Sequence, residues 1–157
     1  MRNEPISLIS TPEFTSLLNN LPDQQSEVAL GIRKHLVTED INEFGVPLLK
    51  GTSALDLGLF LLFIETLDED SSTAALAQIF LVGRLSCKNW IKRLREECMC
   101  HIEWVKPEIK TRGNVGKFVV YSWGIFQREV YAPFTPYAKM VVRNWKEQNA
   151  KESGQLK

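Results

Sequence analysis

The chain has 157 residues, of which 44% are hydrophobic and 24% charged, and its 19 basic and 19 acidic side chains give a formal net charge of zero. These fractions are typical of globular proteins and exclude a disordered or collagen-like chain, while the length fits one domain with one core. The longest apolar run, 55–67, is interrupted by Asp56 and Glu65 and is shorter than the about 20 residues that cross a bilayer. We therefore expect no contact with a membrane.

The cysteines and the N-terminal residues indicate the compartment. Three cysteines are few and odd in number, which favours reduced thiols over a disulfide framework. Residues 1–12 are polar and lack the apolar stretch of a signal peptide. We therefore predict a cytoplasmic protein.

The zero net charge conceals an uneven distribution along the chain. Residues 1–83 hold 4 basic and 12 acidic side chains, whereas residues 84–117 hold 9 basic and 4 acidic ones. Residues 118–157 hold 6 basic and 3 acidic side chains. Such asymmetry is typical of a protein that binds a polyanion, although a solvated charged surface produces the same pattern.

The first third of the chain predicts helices. The segment Thr11-Pro12-Glu13 is typical of a helix start, and apolar residues at helical spacing extend this helix to about Leu21. A second helix is expected over 24–37, followed by a loop that contains Gly45 and Pro47. Thr52 or Ser53 then opens a third helix through Leu67, which is apolar nearly all round and therefore predicted to be the buried central helix.

Two further helices are predicted in the middle of the chain. After the acidic segment 68–70, Ser71-Ser72 precedes a short helix from Thr73 to about Phe80. Ser86 is predicted to cap the next helix, 87–99, after a connection of five residues, 81–85. One side of that helix is apolar, with residues spaced as in an amphipathic helix: Cys87, Trp90, Ile91, Leu94 and Cys98.

Beyond Met99 the apolar period changes from 3.6 to 2. The segment 101–106 alternates as strands do, and the segment 117–123 is rich in the β-branched and aromatic residues that favour strands. The basic, glycine-containing segment between them predicts a hairpin with a long tip. Residues 124–134 are expected to be irregular. Thr135-Pro136 opens a last helix to about Asn149, with an apolar side formed by Tyr137, Ala138, Val141, Val142 and Trp145.

This order of elements, over 52–123, resembles the winged helix-turn-helix family of DNA-binding proteins of bacteria, phages and plasmids. The resemblance implies a mainly α fold with a small β-hairpin wing, in which the helix 86–99 enters the major groove and the wing, 106–117, touches the backbone or minor groove. Residues 1–51 would form a helical extension. Residues 124–157 would form a C-terminal segment with a helix for dimerisation.

The charged side chains fit this interpretation independently. A major groove about 12 Å wide admits one helix, and the exposed first turns of that helix read the bases, with asparagine suited to adenine and arginine or lysine to guanine. Further basic side chains are suited to phosphates. The predicted DNA-binding residues are Arg84, Ser86, Lys88, Asn89, Lys92, Arg93, Arg95, Lys110, Arg112 and Lys117.

Other kinds of site are less well supported by the sequence. Cys87, Cys98, Cys100 and His101 have spacing that suits zinc poorly. His35 is alone on its predicted helix near Arg33 and Lys34, which favours a surface residue over a catalyst. The carboxylates of 68–70 could hold a cation but are common before helix caps. Six aromatic residues are suited to stacking on single-stranded bases or to a core or dimer contact: Trp104, Tyr121, Trp123, Phe126, Tyr131 and Phe134. We therefore expect no enzymatic activity, cofactor or metal.

The predicted function is sequence-specific binding of double-stranded DNA by a transcriptional regulator of a bacterium or mobile element. A homodimer is expected, because two half-sites multiply affinity, with helices 14–36 and 137–145 as candidate dimer surfaces. One alternative is a replication initiation or loader accessory protein of a phage or plasmid, with the acidic N-terminal region as the docking surface for a protein partner. The other is a winged helix that binds proteins and no DNA.

Overall fold

A computed structural model describes residues 16, 46, 54–67, 71–109 and 116–154 of the chain. This part is mainly helical and contains one small antiparallel hairpin, as the sequence predicts. None of its helices combines the length and apolar content that crossing a membrane would require. The elements in chain order are α1 (Ala54–Leu67), α2 (Thr73–Phe80), α3 (Arg84–Glu96), β1 (His101–Val105), β2 (Lys117–Ser122), α4 (Arg128–Tyr131), a 3-10 helix (Ala132–Phe134) and α5 (Thr135–Gly154).

Several predicted features lie outside the described residues. They are the helices predicted over 11–37, apart from helical Ser16, the acidic segment 68–70 and the hairpin tip 110–115. His35, Lys110 and Arg112 belong to these segments. The predicted residues that lie on α3, on the strands and on α5 are described.

Helix α1 is the centre of the core, as its apolar composition predicts. Phe60, Phe63 and the aliphatic residues around them are almost fully buried. The ring of Phe60 packs against Trp90 of α3 with centroids 5.2 Å apart, and the ring of Phe63 packs against Phe80 of α2 at 5.1 Å. Both pairs are edge-to-face, the arrangement that aromatic quadrupoles favour. One helix therefore anchors both α2 and α3.

Helix α5 closes the other side of α1. Its predicted apolar side is buried, with Tyr137 and Val141 fully covered, and the Tyr137 ring lies 6.0 Å from the Phe63 ring. Trp145 donates an indole hydrogen bond of 3.2 Å to Gln78 of α2. The apolar side of this helix is therefore occupied within the chain, and the expectation that the helix 137–145 offers a dimer surface stays a prediction for its exposed side. An apolar stripe has the same spacing whether it covers a core or a partner.

The connection between α2 and α3 is shorter than predicted. Helix α2 ends at Phe80, and Leu81 adopts a left-handed conformation with φ of 55° and closes the helix. Gly83, not Ser86, is the N-cap of α3, which begins at Arg84 and ends at Glu96 rather than at 99. The connection therefore has three residues, 81–83. Glycine and serine both occur as N-caps, so the sequence alone does not fix which of the two residues begins the helix.

Ser72 caps α2 with its side chain, and replacing Ser72 by alanine tests where α2 begins. The Ser72 hydroxyl accepts a 3.1 Å hydrogen bond from the backbone N–H of Ala75. We expect Ser72→Ala to lower the free energy of unfolding by about 1 kcal/mol, measured by urea denaturation. Ser86→Ala is the matched control, since Ser86 lies inside the first turn of α3 and alanine is a good helix former there. A larger loss for Ser86→Ala than for Ser72→Ala would contradict these boundaries.

The hairpin is fixed to the helices at two places. Its antiparallel register pairs Ile102 with Val120 and Trp104 with Phe118. The backbone N–H of Phe118 donates a 3.3 Å hydrogen bond to the carbonyl of Ser71, which precedes α2. On α3, Arg95 donates through Nε to the carbonyl of Ile102 at 2.9 Å. The hairpin is therefore held by β1 to α3 and by β2 to the residue that precedes α2.

Residues 124–134 contain helical structure, contrary to the prediction that they are irregular. Helix α4 and the 3-10 helix occupy 128–134, and Arg128 donates to a Glu65 oxygen of α1 at 2.6 Å. The other Glu65 oxygen accepts from the indole N–H of Trp123 at 2.9 Å. Helix α4 has four residues, too few for a periodic signal in sequence. The carboxylate of Glu65 thus links the end of the hairpin and α4 to the central helix.

Candidate nucleic-acid interface

Helix α3 carries the candidate site, because its buried and exposed sides separate cleanly. The buried side consists of Cys87, Trp90, Ile91 and Leu94, as predicted. A helix with this stripe must direct the residues between these positions outward. The predicted side chains that are exposed on it are Arg84, Lys88, Asn89, Lys92 and Arg95.

The most prominent positions form one ridge, opposite the buried stripe. Positions 85, 89, 92 and 96 follow one another at helical spacing and lie farthest from the core. Within the described residues, the side chains of Asn89 and Lys92 have no hydrogen-bond or ion-pair partner. The ridge therefore presents an amide and an ammonium group to solvent.

One flank of the helix faces the hairpin. Arg95 lies on this flank and bonds to β1, and Lys88 lies two turns earlier on the same side. Lys117 at the start of β2 is half-buried and pairs in register with Val105. Arg95 and Lys88 therefore lie on the flank of α3 that faces β1, whereas Lys117 lies on the other strand of the hairpin.

The other flank of α3 is neutralised by an ion pair within the chain. Arg93 donates through Nε to a Glu97 carboxylate oxygen at 2.8 Å. This hydrogen bond lowers the pKa of Glu97 and raises the pKa of Arg93. Both groups are at the surface, where such a pair contributes little to stability and is open to competition. Half-buried Ser86 lies on the same flank.

The acidic side chains of α3 are confined to its end. Glu96 is the last residue of the helix and Glu97 follows it, while Arg93 and Arg95 lie in the same last turn. The earlier turns carry Arg84, Lys88 and Lys92 and contain no carboxylate. The N-terminal turns of a recognition helix are also the part that reads bases in helix-turn-helix proteins.

The cysteines are core side chains. Cys87, Cys98 and Cys100 are buried free thiols, and burial raises the pKa of Cys87 and of Cys100 to about 11. At neutral pH they therefore stay protonated, and a protonated thiol is a poor nucleophile and metal ligand. Among the described residues, no group of three or more His, Cys, Asp and Glu side chains is placed to hold a metal ion.

The aromatic residues divide between core and surface. Trp123, Tyr131 and Phe134 are buried and Phe126 is half-buried, whereas Trp104 is 37% and Tyr121 57% exposed. The Trp104 ring lies 4.8 Å from that of Phe118, and the Tyr121 ring lies 5.0 Å from that of His101. The surface rings thus pair with neighbouring rings on the hairpin rather than forming a row for successive bases.

A shallow cleft of about 310 Å³ beside α5 was not predicted from the sequence. Its lining residues are Thr66, Lys139, Val142, Arg143, Lys146 and Glu147. The Thr66 hydroxyl donates to the carbonyl of Leu62 at 2.8 Å. The cleft therefore presents cations without a nucleophile and base held together, and its chemistry is that of a charged surface.

The exposed Leu85 is the position on α3 that the sequence interpretation missed. It was assigned to the connection 81–85, but the helix begins at Arg84 and places Leu85 in its first turn, 71% exposed. If Gly83 is taken as the N-cap, Leu85 lies on the ridge.

Comparison of the chain with protein-family models, with curated proteins and with solved structures finds no match.

Proposed function

We propose that this chain binds double-stranded DNA in a sequence-specific manner, with α3 in the major groove, as a winged helix-turn-helix regulator. The observation that carries the proposal is the exposed polar ridge of α3, together with the cations on its hairpin side. An α-helix fits the major groove, and its outward side chains reach base edges there.

The arrangement around α3 supports this proposal. Helices α2 and α3 are joined by three residues that end in Gly83, within the three to four residues usual for a helix-turn-helix. The hairpin follows α3 directly and is bonded to it through Arg95. A hairpin in that position would lie along the duplex when α3 occupies the groove, and would serve as the wing.

Each proposed contact has a distinct role. Asn89 is suited to the N6 and N7 atoms of adenine, and Lys92 to O6 or N7 of guanine. Arg84, Lys88 and Lys117 are suited to phosphates, which fix position and carry no sequence information. The proposed tip contacts, Lys110 and Arg112, lie outside the described residues. Arg93 is paired with Glu97, so it would bind a phosphate by exchanging the Glu97 carboxylate for the phosphate.

The proposed homodimer requires a surface other than the apolar side of α5. That side packs on α1, and its residues Tyr137, Val141 and Trp145 are buried. The predicted N-terminal helices, 14–36, and the exposed side of α5 are then the candidates for the contact between two copies. Two half-sites one helical turn apart, about 34 Å, would match such a dimer.

The salt dependence of binding tests the proposal. We expect fluorescence anisotropy of a labelled random duplex to show micromolar binding at low salt. If about four phosphates are neutralised, affinity should fall about 100-fold between 50 and 200 mM salt, because condensed counterions are released on binding. No binding at micromolar protein and low salt, or binding independent of salt, would overturn the proposal.

A second candidate function is that of a protein-binding winged helix. Three exposed apolar side chains favour it, Met99 at 69%, Ile125 at 61% and Tyr121 at 57%. The N–H of Ile125 donates to the Cys98 carbonyl at 2.9 Å, so Ile125 lies beside Met99. Under this alternative, Ile125→Asp would abolish co-purification of a partner from cells, whereas Lys92→Glu and Arg93→Glu would leave it unchanged.

A further inference from the structure

Leu85 is an apolar side chain on an otherwise polar ridge. It is 71% exposed and lies one turn before Asn89 and two turns before Lys92, opposite the buried side of α3. Single exposed leucines are common on protein surfaces. The position of this one is informative, because the first turn of α3 is the part that reaches deepest into the groove under the proposed function.

We propose that Leu85 selects thymine by packing against its C5 methyl group, an inference that rests on the proposed function of α3. The methyl is the one alkyl group that a standard base pair exposes in the major groove, and apolar side chains recognise it there. A branched aliphatic side chain without donors or acceptors suits that contact better than the hydrogen-bonding edges of the other bases. Leu85 is therefore a specificity-determining residue.

The spacing along the helix extends the inference to two bases. Leu85 and Asn89 are four residues apart on one ridge, which corresponds to a rise of about 6 Å. Successive bases of a strand are about 3.4 Å apart, so the two side chains lie above positions separated by one or two steps. Because asparagine is suited to adenine, each half-site should contain a thymine and an adenine at that separation.

The test uses the full chain and a duplex that the chain itself selects from a random pool. Each thymine of the selected duplex is replaced in turn by deoxyuridine, which keeps the base pair and lacks the methyl. We expect one thymine in each half-site at which this replacement weakens binding about fourfold, the effect of one buried methyl-sized group. Leu85→Ala should weaken binding to the thymine duplex and remove the sensitivity to uracil at that position.

Leu81→Ala is the matched control. Leu81 is also an exposed leucine, at 53%, but it lies in the connection before α3. This variant should keep the uracil sensitivity of the wild type. Circular dichroism checks that both variants fold, which is expected because neither side chain is in the core.

The outcomes separate this inference from the function on which it rests. If the wild type binds a selected duplex but no uracil replacement weakens binding, the assignment of Leu85 is overturned and DNA binding stands. The same holds if Leu85→Ala keeps the uracil sensitivity, or if Leu85→Ala binds as well as the wild type and loses only a protein partner. If the wild type binds no duplex at all, both proposals fail.

Discussion

Replacing Lys88 and Lys92 together by glutamate is expected to weaken duplex binding by about 100-fold. Both side chains are exposed on the N-terminal part of α3 and without a partner in the described part of the chain. Each reversal removes one contact to DNA and places a carboxylate near the phosphates. At about 1.4 kcal/mol for each position, the two losses multiply to this factor, which is measured by fluorescence anisotropy at one fixed salt concentration.

A matched control separates this effect from the change in net charge. Lys139 and Lys146 lie beside the cleft on α5 and are exposed, so Lys139→Glu with Lys146→Glu changes the net charge by the same amount. We expect that variant to bind within about threefold of the wild type, since distant charges are screened at physiological salt. Equal losses in the two double variants would mean that α3 is not the binding surface.

Replacing Gly124 by alanine is expected to lower the free energy of unfolding by about 3 kcal/mol or more. Gly124 has φ of 56°, a left-handed conformation that costs other residues about 1–2 kcal/mol. An added Cβ would overlap the Cys98 carbonyl and lie 2.6–2.7 Å from backbone atoms of Met99 and Cys100. Because backbone atoms cannot move aside as a flexible side chain can, the end of α3 and the end of the hairpin would have to separate.

Gly83 provides the control for this substitution. A Cβ at Gly83 meets no atom within 4 Å, and its φ of −73° suits any residue. Gly83→Ala should therefore cost less than about 1 kcal/mol, the difference between glycine and alanine as N-caps. Urea denaturation of the two variants measures both effects, and equal losses would contradict the close approach at Gly124.

Elements with local signals in the sequence were predicted well. Helix α2 begins at Thr73 and ends at Phe80 as expected, because Ser72 caps it and its apolar residues repeat at helical spacing. The strands 101–105 and 117–122 lie within the predicted segments, because the first alternates and the second is rich in β-branched and aromatic residues, which are both signals of strands. The buried side of α3 likewise followed from its period of 3.6.

Features that depend on tertiary structure were not predictable in this way. Serine is a stronger N-cap residue than glycine, so the sequence favours Ser86 as the start of α3, whereas the helix begins after Gly83. The apolar side of α5 could not be assigned to core or dimer without knowing that it meets α1. The Glu65 carboxylate bonds to Trp123 and Arg128, partners far along the chain for which spacing gives no signal.

In the candidate site, too, some features were predictable from local sequence signals and others were not. The exposure of Lys88, Asn89 and Lys92 followed from the period of the helix. The Arg93–Glu97 pair has the spacing of neighbours on a helix and was readable from the sequence, yet the prediction treated Arg93 as free to bind DNA. The exposure of Leu85 depended on the helix start, so an error of three residues there concealed it.

The most direct test of the central claim is to locate the bound duplex on the protein by NMR. Backbone amide resonances of the isotope-labelled chain are followed while the selected duplex is added. We predict the largest chemical-shift changes over residues 84–92 and at Lys117, with small changes along α5. Changes concentrated on α5 or around Met99 and Ile125, with α3 unaffected, would contradict the claim that α3 enters the major groove.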